Sequence, residues 1–185
     1  MASRAAPRAV LVEAGQDCVV GRFDAMASPC EVLLETGNQD EALRLGRLVA
    51  TEAWRIEDKY SRYLGGNIVD RINCASGGIV AVDDETAQLL DFAQTLYELS
   101  EGSFDITSGV LREVWQFDGS DNVPEEGAVR RVMARVGWHR IQWERPKLRM
   151  QPGMQIDLGG IAKEYAVDRC AGLLRDSSDT AGLVN

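Results

Sequence analysis

The chain has 185 residues, of which 45% are hydrophobic and 26% charged, and its formal net charge is -9. This length and composition suffice for one globular domain with a substantial core, which excludes a chain that is disordered throughout. The negative charge argues against a nucleic-acid groove or an anionic membrane surface as partner, because both favour a clustered positive face.

The first third of the chain predicts two strands and a long helix. Residues 1–17 form an N-terminal extension, either poorly ordered or a first strand, and their apolar stretch is too short for a signal sequence or a membrane span. Strands are expected at 18–23 and 29–36, and Asn38 is a possible N-cap. Apolar residues then recur at helical spacing, which predicts a helix over 40–60.

The middle of the chain predicts a strand and two helices. A short strand over 79–82 precedes Asp83, the expected N-cap of a helix that runs to about Ser100. A further helix is predicted to have Pro124 in its first turn and to reach about Val136.

The last third predicts a hairpin, then a strand that leads into a helix, and then the opening of another strand. The hairpin is expected at 139–144 with 147–151 and the strand at 155–157. The helix is expected from about Gly160, and the opening of the last strand at 181–185. Strands that occur in hairpin pairs predict an α+β fold, with a mixed or antiparallel sheet and packed helices. A Rossmann domain is disfavoured, because no GxGxxG follows a strand.

The most informative stretch is residues 155–168, QIDLGGIAKEYAVD, where a glycine pair stands between an acid and the first turn of a helix. Gly159 and Gly160 lack a Cβ, so the backbone can approach a ligand closely, and the helix would direct its free N–H groups at an anion. Lys163 would add a mobile positive charge. Such a junction can hold a phosphate, and a plain strand-to-helix turn is the alternative.

A second long motif occupies residues 100–118, SEGSFDITSGVLREVWQFD. We assign its Trp115 and Phe117 to the core. Shorter motifs are FDAMASPCEV at 23–32, IEDKYSRY at 56–63 and RIN at 71–73. In this order, the motifs resemble those of the ApbE-type flavin transferases, and the resemblance runs from about Phe23 to the last residue.

The resemblance implies an ApbE-like (T-fold-like) domain over 18–185 that is incomplete at its C-terminus. Family members take FAD and, with Mg²⁺, attach its FMN part to a threonine hydroxyl of a target protein, which releases AMP. The implied contacts are Met26 and Tyr63 to the flavin, Ser103, Phe104 and Asp105 with the following Thr107 on the adenine side, Asp157 and Lys163 to the nucleotide, and the Gly160 carbonyl to magnesium. No catalytic residue is identified.

Three of these residues also have a simpler interpretation. Tyr63 could be a core aromatic that ends a helix, Met26 could fill a gap in the core, and Asp157 could cap a turn or a helix.

Two departures from the family pattern limit these expectations. Glu164 stands where a glycine is usual, which adds a carboxylate beside the expected phosphate site. The family also holds magnesium through an aspartate and a threonine in a later segment that has no match in this sequence. We therefore interpret the chain as a fragment. An FAD-binding or FAD-hydrolysing relative without transfer, or an inactive fragment, is the alternative, and an unpaired apolar end at Leu183 and Val184 would favour self-association.

Other kinds of site are disfavoured by what the sequence lacks. The four cysteines form no CxxC pair and there is one histidine, so a structural zinc site is not expected; buried thiols are predicted, with disulfides as the alternative. A Ser-His-Asp triad would require His139, but no GxSxG elbow occurs. P-loop and calcium-loop motifs are also missing. The expected location is the cytoplasm; a periplasmic or membrane-anchored protein whose signal is absent from this chain is the alternative.

Overall fold

A computed structural model describes residues 8–16, 18–115, 121 and 123–185. The chain divides into two compact units. Unit 1 consists of Met1–Lys59 with Ala162–Asn185, and unit 2 of Tyr60–Ile161. Phe117, which the sequence assigned to the core, lies outside the described residues.

The described part of the chain contains short strands, mostly grouped in hairpins, and helices. The strands are β1 (Leu11–Ala14), β2 (Val19–Ala25), β3 (Ser28–Leu34), β4 (Ile79–Ala81), β5 (Gln142–Glu144), β6 (Lys147–Arg149) and β7 (Gly182–Val184). The helices are α1 (Gln39–Tyr60), α2 (Ile68–Asn73), α3 (Asp84–Leu99), α4 (Glu126–Met133) and α5 (Gly159–Ser177). Two 3-10 turns cover Ile106–Glu113 and Trp138–Arg140.

Unit 1 is built on an antiparallel sheet in the order β1-β2-β3-β7. Along β2, Val19, Phe23 and Ala25 are buried while Arg22 and Asp24 are exposed, as expected for a strand with one face on a core. The buried face packs with α1 and α5 around one apolar cluster. The strands predicted at 18–23 and 29–36 are confirmed.

The predicted helix over 40–60 is confirmed as α1. Asn38 is its N-cap, since its Oδ1 accepts hydrogen bonds from the backbone N–H groups of Asp40 at 3.0 Å and Glu41 at 3.2 Å. Leu45 and Val49, one turn apart, are fully buried, so the helix uses its apolar stripe for the core of unit 1.

Unit 2 contains a second antiparallel sheet, in the order β4-β6-β5. The predicted hairpin is confirmed as β5 and β6, joined at a cis Arg145-Pro146 peptide bond. The helix predicted after Asp83 is α3, and the Asp83 side chain accepts from the Thr86 N–H at 2.9 Å. The α+β fold class, with antiparallel sheets and packed helices, is therefore confirmed.

Four predictions of extent or type were wrong. The helix predicted to have Pro124 in its first turn begins only at Glu126. The helix predicted to reach Val136 ends at Met133, because Arg135 and Val136 donate to carbonyls three residues back and Gly137 follows at φ 144°. His139, expected in a strand, lies in a 3-10 turn. Residues 155–157, expected as a strand, pair with no strand among the described residues.

The sequence also left two elements unpredicted. The short helix α2 is capped by the Asn67 side chain, which accepts from the Asp70 N–H at 2.9 Å. The 3-10 turn Ile106–Glu113 begins after Asp105. In the part of the chain that the structure describes, no helix is both long and apolar enough to cross a membrane.

Candidate functional site

Residues 155–160 of unit 2, which we call the glycine turn, are held by other parts of that unit instead of by a neighbouring strand. Asn73 contacts the backbone of Ile156 twice: its Oδ1 accepts from the N–H at 2.7 Å, and its Nδ2 donates to the carbonyl at 3.1 Å. The Asp157 N–H donates to the carbonyl of Ile106 at 2.8 Å. These bonds satisfy backbone groups that a strand ladder would otherwise satisfy.

The Asp157 carboxylate is bound on both of its oxygens. Oδ1 accepts from the Gly159 N–H at 2.9 Å, and Oδ2 pairs with Nη1 of Arg62 at 2.5 Å. The capping interpretation of Asp157 is therefore confirmed. A third of the side chain remains exposed (33%), so the carboxylate also faces solvent.

The two glycines of the turn lie exposed at the beginning of α5. A Cβ at Gly159 would lie 3.1 Å from Oδ1 of Asp157, and one at Gly160 would lie 3.1 Å from the Phe104 ring. Both contacts are tighter than ordinary packing allows, so a side chain at either position would displace a residue that the sequence assigned to the site. The glycines thus keep the backbone at this helix N-terminus bare and open.

The side chains of Asp105 and Thr107 have internal roles. Oδ1 of Asp105 accepts from the N–H and the hydroxyl of Thr107, and its Oδ2 accepts from the Trp138 N–H at 2.9 Å. The hydroxyl of Thr107 accepts from the Gly137 N–H at 2.7 Å, and Thr107 is fully buried. The pair therefore fixes the start of the 3-10 turn. Ser103, by contrast, is exposed.

In unit 1, Lys163 and Met26 line one cavity. We call this space of about 220 Å³ the hairpin cavity, and its lining also includes Cys30 and Cys170. Nζ of Lys163 donates to the Ser28 hydroxyl at 2.7 Å. Most of the lining is apolar, so the cavity suits an apolar group better than a phosphate.

The hairpin between β2 and β3 has a strained backbone. Met26 and Ala27 occupy its turn with φ of 52° and 57°, a region that glycine and asparagine populate far more readily. The Met26 N–H donates to Oε1 of Glu57 at 2.9 Å, which helps to hold this conformation. Met26 also packs against the core cluster of unit 1, as the gap-filling interpretation expected.

Tyr63 is 81% exposed, so its interpretation as a core aromatic is wrong. Its ring is available to stack on a planar ligand, and that role stays a prediction. Trp115, assigned to the core, is only half-buried.

The four cysteines are free, and they differ in their surroundings. Cys170 is buried, Cys74 exposed, and Cys18 and Cys30 half-buried, so the expectation of buried thiols is confirmed only for Cys170. Burial raises the pKa of the Cys170 thiol to about 12 and also raises the pKa of Cys30. Both groups are therefore neutral thiols at physiological pH.

Sequence reasoning missed Arg62 and gave no role to Asn73. Both lie in motifs that it quoted, SRY and RIN, yet it assigned a role only to Tyr63 within SRY. The available signal was that Arg62 lies inside a motif already quoted for the family resemblance. Their partners lie 95 and 83 positions away, so these pairings could not be read from spacing.

The ApbE family profile matches residues 26–185 of this chain, which is most of its length and includes the glycine turn. This chain belongs to the ApbE family. The matched residues include the glycine turn and the 3-10 turn Ile106–Glu113.

Two curated relatives share the name FAD:protein FMN transferase. An FAD:protein FMN transferase of Chlamydia pneumoniae is 30% identical over 119 residues, which cover 62% of this chain and 38% of that protein. One from Klebsiella pneumoniae (strain 342) is 28% identical over 170 residues, covering 86% of this chain and 51% of that protein. The chain thus spans about half or less of the length of these relatives.

Solved ApbE structures share the fold. The ApbE protein of Thermotoga maritima matches with a TM-score of 0.81 and 27% identity, over 91% of this chain and 56% of that one. The flavin transferase ApbE of Vibrio cholerae matches with a TM-score of 0.79 at 22% identity, over 97% and 57% of the two chains. Because its identity is only 22%, the second match supports the shared fold alone.

Proposed function

We propose that this chain carries the FAD-binding part of an FAD:protein FMN transferase, which moves FMN from FAD to a threonine hydroxyl of a target protein. The family membership and the shared name of the curated relatives support the proposal. The observation that carries it is the glycine turn, where bare backbone lies exposed at the start of a long helix directly after a fixed carboxylate.

The glycine turn would bind the diphosphate of FAD. The N-terminus of α5 offers N–H groups and the positive end of the helix dipole, both of which favour an anion. Asp157 would contact the nucleotide through its exposed part. Met26, Tyr63, Ser103, Phe104, Asp105, Thr107 and Lys163 stay the predicted contacts to the flavin and the rest of the nucleotide.

In the proposed reaction the threonine oxygen attacks the phosphorus on the FMN side of the diphosphate. A new P–O bond forms, the bond to the bridging oxygen breaks, and AMP leaves with that electron pair while the hydroxyl loses its proton. The work of the protein is to hold the diphosphate in line with the incoming oxygen and to stabilise the charge on AMP. No side chain is assigned as the base.

Magnesium is part of the proposal because it neutralises charge on a diphosphate, and the Gly160 carbonyl is its predicted ligand. Among the described residues, no group of three or more His, Cys, Asp or Glu side chains could hold a metal ion. Both oxygens of Asp157 already accept hydrogen bonds. The described side chains therefore do not form a metal site by themselves, and no step of the reaction is assigned to one.

The experiment is to incubate the 185-residue chain with FAD, Mg²⁺ and a threonine-bearing target protein, and then to weigh the target by mass spectrometry. The Klebsiella pneumoniae relative serves as positive control, and EDTA tests the magnesium requirement. An added FMN mass supports transfer. Release of free FMN and AMP without target modification identifies an FAD-hydrolysing relative, and retained FAD identifies a binding protein. No binding of FAD contradicts the proposal.

Three further expectations stay predictions. The boundary between an N-terminal extension and the transferase domain at residue 17 is one, and limited proteolysis tests it. Self-association is another: β7 lies at the end of its sheet and Leu183 is 61% exposed, so size-exclusion chromatography of a Leu183→Lys variant tests it. Cytoplasmic location is the third, and cell fractionation tests it.

A further inference from the structure

Arg62 is a buried cation that contacts the glycine turn. Its side chain is only 6% exposed, and its Nη1 pairs with Oδ2 of Asp157. Nη2 donates to the Gly109 carbonyl at 2.7 Å and lies 3.5 Å from Oε1 of Gln155. Its Nε is buried without a hydrogen-bond partner. A buried guanidinium is costly unless an anion compensates it, and Asp157 is the carboxylate with which it pairs.

The pair changes what an approaching anion meets at the start of α5. Asp157 stands two residues before Gly159 and binds the N–H of that glycine, so its negative charge lies at the end of the helix that would receive a diphosphate. An uncompensated carboxylate there would offset the positive end of the helix dipole and repel phosphate. With Arg62 bound to Oδ2, the local charge is close to zero and the carboxylate keeps one orientation.

We propose that Arg62 is a positioning residue for the diphosphate, which it serves by neutralising and orienting Asp157. The inference rests on the proposed FAD-binding function, because it concerns how the glycine turn accepts the anionic part of that ligand. Arg62 need not touch the ligand, since its guanidinium is enclosed by Asp157, Gly109 and Gln155. Its effect must therefore depend on the charge of the ligand.

The test compares two ligands that share the flavin ring and differ in charge: FAD, which carries the diphosphate, and riboflavin, which carries no phosphate. Dissociation constants are measured by flavin fluorescence for the wild-type chain and for Arg62→Met, Arg62→Lys and the double variant Arg62→Met/Asp157→Asn. Thermal melts accompany each variant, because the loss of a buried partner leaves Asp157 unpaired and lowers stability.

The expected result is a loss of FAD affinity in Arg62→Met of at least about tenfold relative to the loss for riboflavin. The double variant, which removes the unpaired charge as well, binds FAD more tightly than Arg62→Met but stays below wild type, because Asp157→Asn also removes the proposed contact to the nucleotide. Arg62→Lys keeps a cation in place and retains most of the FAD affinity. A purely structural role for Arg62 would weaken both ligands together and would not be reversed by Asp157→Asn.

Two results overturn the inference: equal weakening of FAD and riboflavin in Arg62→Met, or a double variant that binds FAD no better than the single one. If Arg62→Met does not fold, the comparison of Arg62→Lys with the double variant decides, because both lack an unpaired carboxylate and both must bind FAD. Failure of the proposed function is recognised separately, since the wild-type chain would then bind neither FAD nor riboflavin.

Discussion

The glycine turn of unit 2 and the hairpin cavity of unit 1 both carry predicted ligand contacts, and they are built in opposite ways. In the glycine turn, Asn73 holds the backbone of Ile156, and Arg62 holds the carboxylate of Asp157. The hairpin cavity is mostly apolar, and two residues of its hairpin, Met26 and Ala27, have positive φ.

The two regions therefore contribute differently to the free energy of unfolding. The glycine turn is preorganised, so substitutions that loosen it should cost stability as well as affinity. The hairpin carries strain that other contacts must offset, so relieving it should raise stability. Substitutions that loosen the glycine turn should lower the free energy of unfolding, and substitutions that relieve strain in the hairpin should raise it.

The largest expected effect tests whether the hairpin cavity excludes water, as its apolar lining suggests. Cys170 has its pKa raised from 9.0 to about 12 by burial. Alkylation requires the thiolate, so below pH 9 native Cys170 should react about 1000-fold more slowly than the same residue in the unfolded chain. Iodoacetamide labelling followed by peptide mass spectrometry measures both rates.

The pH dependence of the labelling rate shows in which direction folding shifts the pKa of Cys170. In the unfolded chain the rate should level off above about pH 9, whereas the native rate should keep rising until about pH 12. Because the folded state binds this proton more tightly, its contribution to stability is complete below pH 9 and is lost between pH 9 and 12. Exposed Cys74 is the internal control for reagent activity. Fast native labelling of Cys170 at pH 8 would show that the cavity is wet.

The second effect tests the support of the glycine turn. In Asn73→Ala, the N–H and the carbonyl of fully buried Ile156 lose their partners, so the free energy of unfolding should fall by about 3 kcal/mol. Urea unfolding measures this. Asn73→Asp keeps the acceptor but places a carboxylate oxygen against the Ile156 carbonyl oxygen, so it should also lower the free energy of unfolding. Equal stability of Asn73→Ala and wild type would mean that water replaces the amide and that the turn is not preorganised by it.

The third effect tests how closely the turn is packed. A Cβ at Gly109 would lie 3.0 Å from Nη1 of Arg62 and 3.1 Å from the backbone nitrogen of Asp157. Gly109→Ala should therefore lower the free energy of unfolding by about 2 kcal/mol.

Gly127→Ala is the matched control for this substitution. In helix α4 its Cβ would meet nothing closer than 3.6 Å, so the variant should gain about 0.5 to 1 kcal/mol from helix propensity. Calorimetric melts of the two variants should shift in opposite directions. A shift of the same sign in both would refute the packing argument at Gly109.

The same comparison explains how much the sequence could predict. Elements with strong periodicity and local caps, such as α1 with Asn38 and α3 with Asp83, were predicted within a residue or two at their N-termini. The family motifs also identified the glycine turn. These features are encoded within about a dozen neighbouring residues.

What the sequence could not predict depends on distant partners. Residues 155–157 have the composition of a strand, but their backbone bonds go to Asn73 and Ile106, so no ladder forms. Arg62 was missed for the same reason, because the partners that explain its burial, Asp157, Gly109 and Gln155, are distant in the sequence. Propensity is decided locally, and tertiary hydrogen bonds override it where they satisfy the backbone equally well.

The smallest expected effect tests the strain in the hairpin. Ala27 has φ 57° and forms the turn between β2 and β3 with Met26, so Ala27→Gly should raise the free energy of unfolding by about 1 kcal/mol. Ala81→Gly, at an exposed position in β4, is the control and should lower it by about 0.5 kcal/mol, because glycine there only adds freedom to the unfolded chain. Urea unfolding of both variants separates the two signs. A loss of stability in Ala27→Gly would mean that the methyl group stabilises the hairpin by more than the positive φ costs, and the contrast between the two regions would then rest on polarity alone.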